Sequence, residues 1–143
     1  MNDTETLVAQ ANGLPATPRI LIVDDESAMQ RLAAAILIKL GLDPTSASSG
    51  EEAVELYRKA LTEDRPYAAV VMDLALPGGI SGLEATLAIK QLDGRAKVIV
   101  SSSYLEQNAR NAALEHGFSG ILPKPYTADC LTSELRRVLK LGE

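Results

Sequence analysis

The sequence predicts an α/β fold: an open, doubly wound sheet of five parallel strands in the order 2-1-3-4-5, with five helices. Two observations predict it. Short aliphatic runs alternate strictly with longer stretches of helical period, and the runs stop at polar or acidic residues. Five strands are also too few to close an eight-stranded barrel, so the sheet stays open, in the flavodoxin-like arrangement.

From Met1 to Pro18 the chain is rich in Asn, Thr, Ala and Pro and reads as a loosely ordered arm, leaving 19–143 as the folded domain. Arg19-Ile20-Leu21-Ile22-Val23 is an unbroken aliphatic run, as in a strand buried on both faces. Over Glu26–Leu40 the apolar residues Met29, Leu32, Ala33, Ile36, Leu37 and Leu40 fall three and four apart, one face of a helix, and Gly41 stops it. A second strand is expected around Leu42–Ala47. After the Ser49-Gly50 turn, Ala53, Val54, Tyr57 and Leu61 form the inward stripe of a helix over Glu51–Leu61. Tyr67–Met72 is the third strand, Gly82–Leu92 a helix and Lys97–Val100 the fourth strand. A helix near Glu106–His116, the strand Ile121-Leu122 and a helix over Thr127–Leu141 complete the chain.

Composition narrows the function. The 143 residues are 46% hydrophobic, enough for one aliphatic core. With 14 Lys+Arg against 19 Asp+Glu, the net charge of −5 offers no broad surface for phosphate backbones, and 3% aromatic residues leave little on which bases could stack. Direct nucleic-acid binding and membrane insertion are not expected, since no apolar run reaches the 18 or more residues that would span a bilayer. The single cysteine, Cys130, excludes an internal disulfide, fits a reducing cytoplasm, and is read as a small buried hydrophobe. His116, before Gly117, is read as meeting the dipole at a helix C-terminus.

Ligands on open parallel sheets bind beyond the carboxyl ends of the strands. There, strand one ends in Asp24-Asp25-Glu26 and strand three in Asp73. Acids after strand one could simply cap the next helix, but that does not account for Asp73. Carboxylates gathered from two strands repel one another and call for a cation, and hard oxygen donors suit Mg²⁺. Strand four ends in Ser101-Ser102-Ser103 and strand five leads to Pro123-Lys124-Pro125. Carboxylates, a divalent cation, a hydroxyl and an ammonium together suit a transferring phosphoryl group attacked by a carboxylate.

These residues resemble the receiver domains of two-component response regulators, over Arg19 to about Leu141. The motifs are Ile20–Glu26, Val71–Gly78 with Gly82-Leu83-Glu84, the strand-end serines, and Gly117–Gly120 leading to Lys124-Pro125. The resemblance implies that Asp73 is the phosphoacceptor and that Asp25 binds Mg²⁺ directly while Asp24 acts mainly through water. It implies further that the Ala75 carbonyl completes the protein's metal ligands, that Ser102 is the switch hydroxyl and that Lys124 reaches the phosphoryl group. The Lys124–Pro125 peptide is expected to be cis. The donor would be a sensor histidine kinase or a histidine phosphotransfer domain, the output a downstream protein, and the state a monomer or a phosphorylation-dependent dimer. The domain would catalyse only its own phosphorylation and dephosphorylation.

Two features depart from the common pattern. The Pro77–Gly82 loop is one residue longer than usual, as in receivers fused to hybrid sensor kinases, and Ile121 stands where many receivers carry a Tyr or Phe. Tyr104, two residues past Ser102, becomes the candidate reporter of the phosphorylated state. A degenerate receiver used as a docking module is the competing reading, and the intact acids, hydroxyl and lysine argue against it. A haloacid-dehalogenase-type hydrolase would want an acid where Ala75 stands.

Overall fold

The computed structural model describes residues 17–103, 115 and 117–139. The expected arm up to residue 16, most of the expected helix over 106–116, Tyr104 and His116 lie outside the described residues. The elements are β1 (Arg19–Val23), α1 (Ser27–Lys39), β2 (Asp43–Ala47), α2 (Gly50–Thr62), β3 (Ala69–Asp73), α3 (Gly82–Leu92), β4 (Val98–Ser102), β5 (Gly120–Pro123) and α4 (Ala128–Val138). All strand pairs are parallel, in the order β2-β1-β3-β4-β5.

Alternation along each strand splits the core between the two faces of the sheet. Ile20, Ile22, Val71, Ile99 and Leu122 pack under α1 and α4 through Leu37, Leu131 and Leu135. Leu21, Val23, Val70, Met72, Val98 and Val100 pack under α2 and α3 through Tyr57 and Ile89. Because β1, β3 and β4 are covered on both sides, they contain the unbroken aliphatic runs Ile20–Val23, Ala69–Met72 and Val98–Val100. Pro44 fits because β2 is an edge strand.

The helix ends follow local chemistry. The Leu42 N–H donates to Leu37 O and the Gly41 N–H to Ile38 O, with Gly41 at φ 81°, which closes α1 in a Schellman turn. Ser49 and Thr127 cap α2 and α4, and Ser81 with Glu84 forms a capping box on α3. Gly82 opens α3 against the β3 backbone, where a Cβ would overlap the Asp73 carbonyl oxygen. That close approach fixes α3 to the strand bearing the third aspartate.

Three expectations are corrected. Leu32, expected on the inward stripe of α1, is 45% exposed, because the stripe runs through Ala33 and Leu37. Cys130 is exposed rather than buried; α4 turns Leu131, Glu134, Leu135 and Val138 inward, which puts Cys130 on the other side. The third strand begins at Ala69, two residues late: Tyr67 lies before it, its ring 4.4 Å beneath the Arg19 guanidinium.

Between α2 and the end of α3, the buried Tyr57 hydroxyl donates to Asp93 Oδ2 at 2.7 Å. Burial, then the hydrogen bond and charge of Asp93, push its pKa well above the ordinary 10.0. The raised folded-state value means the contribution is full below pH 10 and fades as pH rises beyond it, where unfolded tyrosine ionises first. Tyr57→Phe is expected to lower stability by about 1–2 kcal/mol at pH 7. It should also flatten the loss above pH 10, both read by urea unfolding. A variant as stable as wild type at pH 7 would contradict this.

Candidate functional site

β1 and β3 are adjacent and in register, with Val23 opposite Met72, so the next residues, Asp24 just past β1 and Asp73 at the end of β3, stand side by side. Both are buried, at 4% and 3% exposure, an unusual place for two carboxylates. Asp25 is exposed at the rim. One oxygen from each of Asp24, Asp25 and Asp73 lies within 4.8 Å of the others.

Local hydrogen bonds hold the two buried acids. Asp24 Oδ1 accepts from the Glu26 N–H at 2.9 Å, and Asp73 Oδ1 from the Ala75 N–H at 2.9 Å. The N-cap residue of α1, Glu26, makes no side-chain cap bond. The Gln30 side chain donates to the Asp24 carbonyl at 2.6 Å, tying α1 to the end of β1.

The cation expected from beyond the fifth strand is in place. The Lys124 backbone N–H donates to the Ser102 carbonyl at 3.0 Å, and the Lys124–Pro125 peptide is cis, as expected. From there Lys124 Nζ reaches Asp24 Oδ2 at 2.7 Å and Asp73 Oδ2 at 3.2 Å. Burial alone would push the ammonium down; the hydrogen bond and charge of Asp24, joined by those of Asp73, outweigh it, so its pKa is raised. Tyr126, buried beside the group, has its pKa raised by burial and by the Asp24 charge.

Ser102 is the last residue of β4 and is buried. The register sets Ser101, not Ser102, opposite Asp73. Ala75 follows β3 and is held to Asp73 through its N–H. The lengthened loop is pinned by α2, since the Ile80 N–H donates to Glu51 Oε2 at 3.0 Å, with Gly78 and Gly79 at positive φ. Sequence reasoning passed over Glu51, Gln30 and the buried Tyr126.

Three carboxylates against one ammonium leave the cluster with uncompensated negative charge. The donor set fits Mg²⁺: hard oxygens, few in number, with one cationic group already drawn between two of them.

A family model of the response regulator receiver domain matches residues 20–136. The chain belongs to that family. This receiver domain is 32% identical over 122 residues to the chemotaxis protein CheY of Bacillus subtilis, covering 85% of this chain and 97% of CheY. It is 28% identical over 129 residues to hybrid signal transduction histidine kinase I of Dictyostelium discoideum, covering 87% of this chain but only 7% of the kinase. Among solved structures, the receiver domain of sensor histidine kinase PA1611 from Pseudomonas aeruginosa, with a magnesium ion coordinated in its active-site cleft, superposes with TM-score 0.75. It shares 28% identity over 87% of this chain and 99% of that one. The CheX–CheY–BeF3–Mg²⁺ complex from Borrelia burgdorferi gives TM-score 0.82 at 22% identity, over 96% of this chain and 98% of the matched one, a likeness of fold. No helix among the described residues is long and apolar enough to cross a membrane.

Proposed function

We propose that this receiver accepts a phosphoryl group onto Asp73 from the phosphohistidine of a sensor histidine kinase or a histidine phosphotransfer domain, and signals through an altered protein-binding surface. The observation that supports it most is Lys124 Nζ set between Asp24 and Asp73 at 2.7 and 3.2 Å, with an oxygen of the third acid, Asp25, within 4.8 Å of oxygens of both carboxylates. A carboxylate oxygen of Asp73 attacks phosphorus, the phosphorus–nitrogen bond to imidazole breaks, and the electron pair returns to the ring. The product is an acyl phosphate on Asp73. Asp24, Asp25, Asp73 and the Ala75 carbonyl would hold Mg²⁺, which when bound neutralises charge on the phosphoryl oxygens. Lys124 turns from Asp73 toward the phosphoryl group, and Ser102 offers a hydroxyl from the end of β4. The only turnover in this reading is of the domain's own phosphoryl group, in a cytoplasmic signalling chain.

The test is intact mass after incubation with acetyl phosphate, with Mg²⁺ and with a chelator. One phosphoryl group is expected with Mg²⁺, mapping to Asp73. With the chelator the anionic donor meets buried carboxylates, and labelling should disappear. Equal labelling in both arms, or a different acceptor, refutes the proposal.

A further inference from the structure

The Ser101 hydroxyl is buried, with the residue 2% exposed, and has no hydrogen-bond partner among the described residues. A buried hydroxyl left unpaired costs free energy, so its position matters. Along β4, Val98 and Val100 face α2 and α3 while Ile99 faces α1 and α4. Ser101 therefore shares the face of Ile99. The register sets it between Asp73 on β3 and Leu122 on β5. Asp73 follows Val71 with the same alternation onto this face, and Lys124 follows Leu122 likewise. The orphan hydroxyl thus stands beside the Asp73 carboxyl group, in its row, on the side away from Asp24. The phosphoryl group would sit one bond further out, beyond this row.

Both Asp73 oxygens are already engaged in the state described, Oδ1 by the Ala75 N–H and Oδ2 by Lys124. In this state the Ser101 hydroxyl donates to neither oxygen, while Lys124 bridges Asp73 Oδ2 to Asp24. On the reading that Asp73 is phosphorylated, Lys124 is drawn outward to the phosphoryl oxygens and vacates its place against the carboxyl group. We propose that Ser101 is a positioning residue for Asp73, donating its hydrogen bond to the Asp73 carboxyl group in the phosphorylated state alone. The unpaired hydroxyl then penalises the resting state and is satisfied in the loaded one, which tilts the domain toward loading.

This gives two effects of opposite sign in one variant. Removing the hydroxyl takes away a resting-state penalty and a loaded-state bond together. The experiment titrates beryllofluoride, with Mg²⁺, into wild type, Ser101→Ala, Ser101→Thr and Ser101→Val, following amide chemical shifts, and measures thermal unfolding without beryllofluoride. Ser101→Ala is expected to melt at or above the wild-type temperature yet bind beryllofluoride about tenfold more weakly, the factor one hydrogen bond at a charged site supplies. Threonine and valine add the same bulk and differ in the hydroxyl, so Ser101→Thr should bind at least several-fold more tightly than Ser101→Val. An alanine variant that binds as wild type does, that melts well below it, or a threonine and valine pair that bind alike, overturns the role of Ser101. Wild type that takes no beryllofluoride overturns the phosphoacceptor reading itself, and this inference with it.

Discussion

Asp73→Asn is expected to abolish phosphoryl uptake from acetyl phosphate while leaving the fold intact. The amide oxygen is a far weaker nucleophile than a carboxylate, and no other acid occupies the same place: Asp24 is bound to Lys124 and to the Glu26 N–H, and Asp25 is exposed at the rim. The asparagine oxygen can still accept from the Ala75 N–H, as Asp73 Oδ1 does at 2.9 Å. Its amide nitrogen then faces Lys124 Nζ, donor against donor, and the ammonium retreats to Asp24 alone. That loss is offset, because the cluster holds three carboxylates for one ammonium and the substitution removes one of the excess charges. Stability should therefore change by less than about 1 kcal/mol at pH 7 and low salt. Intact mass after labelling and a thermal melt check both halves. Modification of the asparagine variant to the wild-type extent would refute the assignment, and a large loss of stability would refute the charge argument.

The reason so much of this site was legible is that β1 and β3 are buried on both faces. The interior of such a strand must be apolar, so the first acid after Val23 and after Met72 marks the strand end and the functional rim together. Parallel pairing then places those ends side by side without further information. The end of α1 was legible for a local reason, since Gly41 alone supplies the positive φ that the turn requires.

Elsewhere the sequence lacks the contrast on which such reading depends. Ser101, Ser102 and Ser103 are identical side chains, so only the pairing of Asp73 with Ser101 shows which hydroxyl shares the face of the acids. β2 is Asp-Pro-Thr-Ser-Ala, and was inferred from the alternation of elements rather than from its own residues. On α4 the inward stripe contains Glu134, which a hydrophobic count assigns to solvent. Its carboxylate accepts from the Ile121 N–H at 2.7 Å, while Arg137 donates to the Ser119 carbonyl at 2.8 Å, so the edge of β5 is covered by side chains from that helix. Gly120 leaves them the room, since a Cβ there would lie 2.5 Å from Glu134 Oε2. Nothing within α4 announces a partner on another element, and Cys130 was read as buried from its residue type, without a phase for the helix that carries it.

Lys124→Met should raise Mg²⁺ affinity and at the same time slow phosphoryl uptake, about a hundredfold. The ammonium and the metal compete for the same carboxylates: Nζ lies 2.7 Å from Asp24 Oδ2 and 3.2 Å from Asp73 Oδ2, so a cation entering the cluster must share or displace it. Removing the lysine ends that competition. It also leaves two carboxylates, at 4% and 3% exposure, facing each other without a counter-charge. Without Mg²⁺ the variant should therefore lose about 3–5 kcal/mol of stability at pH 7. Added Mg²⁺ should restore part of this by binding the folded state alone. In wild type the same ion pair gives a complementary pH signature. The Lys124 pKa is raised above 10.5, so its contribution is intact at lower pH and is lost as pH climbs through the folded-state value. In the methionine variant that alkaline loss should be missing. Phosphoryl uptake falls for a separate reason: the ammonium that would meet the phosphoryl oxygens is gone, and a tighter metal does not replace a charge on the other side of the group. Isothermal titration with Mg²⁺, chemical unfolding with and without Mg²⁺, and initial labelling rates at saturating Mg²⁺ separate the effects. Weaker Mg²⁺ binding would show that Lys124 does not contest the metal's place, and labelling at the wild-type rate would remove it from the transfer step.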